Sequence, residues 1–203
     1  MSGKFVIITG GECRLDGIPA NIADGSFVIA ADSGFDTAKR LGISPALLVG
    51  DMDSISSVPQ GVELYRVKAE KDVTDTMLAV DIALERGGRE IIIIGGAGGR
   101  ADHWLSNILM LEAYAERGID IRLVDGTNEI FVLCDGSVQI PKCGGYFGIL
   151  ALSDCTVTET GCKYPLERAV LRRNMPYAVS NEVVDDFARI TVEGHAVITV
   201  SKK

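Results

Sequence analysis

Three groups of residues in this chain have the types and spacing to do chemistry on a polyanion. In Gly50-Asp51-Met52-Asp53-Ser54, Asp51 and Asp53 are two residues apart. On a loop, two such carboxylates can converge on one hard cation, and Mg²⁺ takes one or two carboxylates with water and phosphate oxygens. The same spacing also suits a turn of solvated acids. In Lys71-Asp72-Val73-Thr74-Asp75, Asp72 and Asp75 lie on nearby faces if the first helical turn begins there. Capping and compensation of the helix dipole are the other use for acids at that place. Lys71 can meet a phosphate or stay a solvated charge.

The third group is Gly95-Gly96-Ala97-Gly98-Gly99-Arg100-Ala101-Asp102-His103, with Asn107 four residues beyond His103. A glycine-rich loop between a strand and a helix brings backbone N–H groups close to phosphate. Arg100 adds a bidentate donor, Asp102 is placed to cap the helix, and His103 and Asn107 share one helical face. Taken alone, His103 also suits a helix surface or a satisfied core position. A fourth feature is Thr160-Gly161-Cys162-Lys163-Tyr164-Pro165-Leu166 with Ser180-Asn181-Glu182. Tyr164, Ser180 and Asn181 offer an aromatic face and uncharged hydrogen-bonding groups, which fit a flat heteroaromatic ligand better than a phosphate. An ordinary loop with a core Tyr and an Asx turn has the same local composition. There is no GxxxxGK[ST], no GxGxxG and no Gly-x-Ser-x-Gly, which removes a P-loop, a dinucleotide fingerprint and a serine-hydrolase elbow.

The elements that must position these groups are legible as alternating short apolar runs and amphipathic stretches. Strands are expected at Lys4–Thr9, Phe27–Ala31, Ala46–Gly50, Val62–Val67 (less apolar, nearer an edge), Glu90–Ile94 and Ile119–Val124. Helices are expected to about Leu41, over Thr74–Arg86 with Thr74 or Asp72 as cap and Gly87-Gly88 as stop, and over Asp102–Arg117. This order predicts an α/β domain over residues 1–126, a mostly parallel, Rossmann-like sheet with helices on both faces. Ligands in such sheets sit at the carboxyl ends of strands, where the first three groups fall. From residue 127 to 203 the runs are short and β-rich, which predicts a small antiparallel β-sandwich. Glu193-Gly194-His195 reads as a hairpin turn in it.

The bulk properties narrow the partners. The chain has 203 residues and a formal charge of −8, from 28 acidic against 20 basic side chains. That excludes a broad nucleic-acid surface but not one nucleotide bridged by a metal ion. Five cysteines without a CxxC pair argue against a zinc site or a disulfide framework and for reduced thiols in a cytoplasmic protein. The apolar run after Met1-Ser2-Gly3-Lys4 is too short for a signal peptide or membrane span.

Together these runs resemble the thiamine pyrophosphokinases, over nearly the whole chain and in order. The matching segments are Ala31-Asp32-Ser33-Gly34 (Ser33 where Gly is common), Gly50-Asp51-Met52-Asp53-Ser54 (Met52 in an aromatic position), and Lys71-Asp72-x-Thr74-Asp75. They continue with Gly98-Gly99-Arg100-x-Asp102-His103 and Asn107, Gly161-x-Lys163-Tyr164-Pro165-Leu166, and Ser180-Asn181. Tyr146–Thr158 diverges most. The resemblance implies a homodimer whose active site lies between the α/β domain of one subunit and the β domain of the other. It implies that Asp51, Asp53 and Asp75 hold Mg²⁺ and the ATP phosphates. Asp32, Lys71, Asp72, Arg100, Asp102, His103 and Asn107 would lie nearby, and Ser180 and Asn181 would help hold thiamine. The thiamine hydroxyl would attack the β-phosphorus of ATP and AMP would leave, with Asp75 or Asp72 accepting the proton. The competing expectations are another heteroaromatic alcohol as acceptor, a non-catalytic ATP sensor, and a metal-dependent phosphohydrolase.

Overall fold

A computed structural model describes residues 3–51, 61–66 and 72–202. Asp53 and Lys71 lie outside the described residues. The chain divides into two compact units, residues 1–110 with 119–126, and residues 111–118 with 127–203.

The first unit is built on six parallel strands: β1 (Lys4–Ile8), β2 (Phe27–Ala31), β3 (Leu47–Gly50), β4 (Glu63–Arg66), β5 (Glu90–Ile94) and β6 (Asp120–Val124), in the spatial order β6-β5-β1-β2-β3-β4. β1 and β2 are buried along nearly their whole length, as strands covered on both faces must be. β4 is exposed throughout and sits at the edge, as its weaker apolar content requires. Alternation sorts the two faces. Val6, Ile8, Val28 and Ile94 meet Ala38 of α1 (Gly34–Leu41) together with Ile18 and Ile22. On the opposite face the Phe5 and Phe27 rings meet at 5.5 Å, tilted by 44°, and Arg86 lies 5.1 Å over the Phe27 ring, at the end of α2 (Asp75–Glu85).

α2 starts where its cap requires: the Thr74 side chain accepts from the Met77 N–H at 3.2 Å. Arg86 then closes the helix and Gly87 turns left-handed at φ +88°. α3 runs from Ala101 to Ala115.

The second unit departs from the sequence reading in two ways. The expected runs do not include the strand at Leu166–Leu171. Glu193-Gly194-His195 is not a hairpin turn. It lies inside a single 15-residue strand, β11 (Phe187–Ser201), paired along its length with the 14-residue β7 (Asn128–Pro141). Val192 faces Gly136 and His195 faces Cys134, so β11 carries one extra residue, a β-bulge. Gly194 has φ +108° and donates its N–H to Asp135 Oδ1 at 2.7 Å, while Asp135 itself takes φ +43°. The two turn-like signals, Asp135-Gly136 and Glu193-Gly194, thus face each other across one ladder and bend it.

The bend lets β11 pair with β8 (Tyr146–Ala151) along its later half and with β9 (Cys155–Thr160) along its earlier half. β10 (Leu166–Leu171) extends the β9 side. Both halves contribute to one core. Phe131, Phe147, Ile149 and Ile198 come from the first, Ile140, Val157 and Ile190 from the second. The result is a small antiparallel sandwich folded from one long bent strand pair.

Candidate functional site

In the parallel sheet the chain leaves β1 toward β2 and later returns to β5 on the other side of β1. The switch point therefore lies between the carboxyl ends of β1 and β5, the place where open α/β sheets form their ligand crevice. A cleft of about 370 Å³ opens there. Its floor is backbone. Thr9, the residue after β1, donates both its N–H and its Oγ1–H to the carbonyl of Ile94, at 2.9 and 3.1 Å. A Cβ on Gly11 would sit 1.8 Å from the Gly95 carbonyl oxygen, so the two loops touch only because neither residue has a side chain.

Two carboxylates, Asp32 and Asp75, enter the cleft wall half-buried. Asp32 directly follows β2 with φ +49°, a left-handed conformation costly for a residue with a Cβ and typical of positions held for function. Its N–H donates to the Val49 carbonyl at 2.8 Å. Asp51 follows β3 directly and is exposed. β2 and β3 are parallel neighbours in register at Ala31 and Val49, so Asp32 and Asp51 share one rim of the sheet. Asp72 is exposed one turn before α2.

Arg100, His103 and Asn107 close the other side. Arg100 donates to Asp102 through Nη2 (2.6 Å) and Nε (3.2 Å), and Asp102 Oδ1 also accepts from the His103 N–H at 3.1 Å. The Arg100 guanidinium holds the Asp102 carboxyl below its ordinary range, so this fork is an oriented pair at the cleft mouth. Both side chains are exposed. Asp102 is the second residue of α3. It serves the guanidinium and the first-turn backbone together. His103 is exposed, whereas Asn107 is buried and donates to the Gly96 carbonyl at 2.9 Å. Asn107 therefore fixes the glycine-rich loop.

In the second unit, Tyr164 and Ser180 are exposed and Asn181 is buried. The Asn181 amide donates to Glu159 Oε2 (2.7 Å) and to the Tyr164 carbonyl (2.9 Å), and its oxygen accepts from the N–H groups of Tyr164 (3.1 Å) and Glu182 (3.0 Å). All four hydrogen-bonding positions of that amide are filled by protein. Its backbone pairs reciprocally with Phe147 at 2.9 Å. Ser180, at φ +60°, is held left-handed just before that bridge. Burial pushes the Glu159 carboxyl up, while the hydrogen bonds from Asn181 and Cys162 oppose the shift.

Residues 19–123 match the family described as thiamin pyrophosphokinase, catalytic domain, and residues 137–197 match its vitamin B1 binding domain. The chain belongs to the thiamin pyrophosphokinase family. A thiamine pyrophosphokinase of Bacillus subtilis is 36% identical over 166 residues, covering 77% of this chain and 78% of that protein. Thiamine pyrophosphokinase 2 of Oryza sativa is 28% identical over 202 residues, covering 89% and 73%. Among solved structures, a thiamine pyrophosphokinase from Bacillus subtilis superposes with a TM-score of 0.87 at 30% identity, covering 98% of this chain and 99% of that one. Thiamin pyrophosphokinase from Candida albicans shares the fold at 16% identity with a TM-score of 0.82.

Against the family motifs read from the sequence, the cleft brings together Asp32, Asp75, Arg100, His103 and Asn107. It also has walls the motifs did not point to: Thr9, Gly10, Gly11 and Glu12 after β1, and Thr76 beside Asp75. The signal for the first four was present, a glycine pair directly after a buried strand. That pair reads as a strand stop until the strand order places it beside β5. All five cysteines are free, with Cys155 and Cys162 buried. Among the described residues, no helix is long and apolar enough to cross a membrane.

Proposed function

We propose that this chain transfers the diphosphate of ATP to the hydroxyl of thiamine, giving thiamine diphosphate and AMP. The observation that carries this reading is the cleft at the switch point of a thiamin pyrophosphokinase-family fold, lined by the glycine loops after β1 and β5, by the carboxylates Asp32 and Asp75 and by Arg100, which is paired with Asp102. The loops after β1 and β5 cradle the phosphates. Arg100, aimed by Asp102, stabilises charge as it builds on the transferred group. Asn107 holds the glycine-rich loop through its bond to the Gly96 carbonyl.

The donor set is all hard oxygen, and an acidic cleft repels a nucleotide unless a cation intervenes. Both facts fit Mg²⁺ held by Asp51, Asp75 and, from the sequence, Asp53. Bound there, Mg²⁺ would neutralise the phosphate oxygens. Asp75 is better placed than Asp72 to take the hydroxyl proton, because it lies half-buried in the cleft wall while Asp72 is exposed.

Thiamine would lie against Tyr164 and Ser180. Asn181, with its amide fully engaged, acts by positioning those two rather than by touching the ligand. Exposed Tyr164, Val170, Met175, Tyr177 and Phe187 give the sandwich an apolar surface suited to a second copy of the chain, which supports a homodimer. The free cysteines fit a reducing, cytoplasmic setting.

The test is to incubate the protein with ATP, Mg²⁺ and thiamine and to follow AMP and thiamine diphosphate. Thiamine-dependent AMP release that vanishes with chelator and with Asp53→Ala is expected. Turnover without any acceptor would make it a phosphohydrolase. AMP release with a different heteroaromatic alcohol but not thiamine would move the acceptor assignment.

A further inference from the structure

We propose that Glu112, Glu116 and His195, all in the second unit, form a second cation site, built for a divalent transition-metal ion of the Zn²⁺ class. His195 Nδ1 lies 2.9 Å from Glu112 Oε1 and 3.5 Å from Glu116 Oε1. The three potential ligand atoms all fall within 4.8 Å of one another. Ligands about 2.1 Å from a tetrahedral ion are separated by about 3.4 Å, and the two distances, the shorter of them a His195–Glu112 hydrogen bond, bracket that value.

The residues are set in place by unrelated features of the fold. Glu112 lies in the last turn of α3 and Glu116, four residues on, directly follows the helix, the two joined by the hydrogen bond from the Glu116 N–H to the Glu112 carbonyl at 2.9 Å. Spaced so, they point to one side of the helix. His195 follows the bulge in β11, where the Gly194 N–H is held by Asp135 Oδ1, and bulges re-aim side chains in this way.

The electrostatics ask for a cation. Two like charges four residues apart oppose each other. They stand at the helix end where the backbone carbonyls are already negative; α3 has no basic residue in its last turn, and Arg117 just beyond it lies over the Tyr114 ring. A single imidazole offers one positive charge at most, against two carboxylates. A divalent ion balances both, and the nitrogen donor selects against Mg²⁺ and Ca²⁺ in favour of imidazole-binding metals. Three protein ligands leave a position for water or a small anion. The side chains of His195 and Glu112 are about three-quarters covered, at 26% and 30% exposed, so the site is sheltered but reachable.

The experiment is a Zn²⁺ titration of the metal-free full-length protein by calorimetry, in excess Mg²⁺ so that the carboxylates of the cleft are occupied, with Co²⁺ absorption as a second readout. One equivalent is expected to bind, with visible Co²⁺ bands of a four- or five-coordinate ion. His195→Gln and Glu112→Gln should each weaken binding by about tenfold or more and remove the bands. Glu116→Gln, at a more exposed position, should do the same without disturbing the fold. Asp75→Asn should leave this binding intact while affecting the transfer reaction, which separates failure of this site from failure of the proposed function. Absence of stoichiometric binding, or binding unchanged in all three variants, would reduce the cluster to a histidine–glutamate ion pair.

Discussion

Asn181 Nδ2 donates to Glu159 Oε2 across 2.7 Å, and both residues are buried. Through this bond the strand β9 fixes the amide that in turn holds the Tyr164 loop by both its N–H and its carbonyl. Asn181→Ala removes four hydrogen bonds at once and leaves a buried carboxyl without its amide partner. A loss of about 2–4 kcal/mol is expected, since an unsatisfied buried polar group alone costs about 1–3 kcal/mol. Urea denaturation measures it. Because Tyr164 and Ser180 lose their support, the KM for thiamine should rise more than the KM for ATP. Equal rises in both would refute the positioning role.

Glu159 makes stability depend on pH in a direction set by its burial. Its folded-state pKa is raised above the ordinary 4.5, with desolvation outweighing the hydrogen bonds from Asn181 and Cys162. The folded protein therefore binds this proton more tightly than the unfolded chain does. The resulting stabilisation is complete below about pH 4.5 and is lost as pH rises through the folded value. Glu159→Gln keeps an acceptor for Asn181 and has no proton to lose. Its stability relative to the parent chain should increase between pH 4.5 and pH 7. Melting curves of the two proteins over that range provide the check, and a constant difference would contradict the burial argument.

Asp32 combines a left-handed backbone with a place in the cleft wall. Asp32→Ala keeps the strain and deletes the carboxylate, whereas Asp32→Gly deletes both. The glycine variant should be the more stable of the two by about 1 kcal/mol. Both should fall well below the parent chain in thiamine-dependent AMP release. If Asp32→Ala melts above Asp32→Gly, the positive φ is not a cost at this position.

The parallel sheet was legible because its strands other than β4 are short apolar runs stopped by glycine or a polar turn, as at Phe27–Ala31 and Glu90–Ile94, where sequence and structure agree residue for residue. The sandwich was less so. Asp135-Gly136 and Glu193-Gly194 carry the same local chemistry as hairpin turns, and only their pairing across the ladder makes them a bulge. β10 escaped notice because Glu167 and Arg168 interrupt its apolar pattern, with Arg168 at φ +45° between the two registers of the strand. At the site, local motifs pointed to Asp32, Asp75 and Arg100. Thr9 to Glu12 required the strand order, a non-local property. The saturation of the Asn181 amide depends on Glu159, 22 residues away, and no spacing rule announces it.

The contact between the loops after β1 and β5 makes the sharpest steric prediction. A methyl group on Gly11 would meet the Gly95 carbonyl at 1.8 Å, and the obstacle is backbone, so no rotamer change relieves it. Gly11→Ala must push the Thr9–Glu12 loop away from Gly95, disturbing the bonds from Thr9 to Ile94 at 2.9 and 3.1 Å. A destabilisation of about 2–3 kcal/mol is expected, in the range of overpacked interiors, readable by thermal melting. The transfer reaction should suffer beyond this, with a raised KM for ATP even at temperatures where the variant is fully folded, because the displaced loop lines the cleft. Gly42→Ala supplies the control. That glycine also has a positive φ, +70°, but a Cβ there meets nothing within 4 Å. It should lose some stability through strain alone and leave the KM for ATP unchanged. If both variants left that KM unchanged, the loop after β1 would have no part in holding the nucleotide.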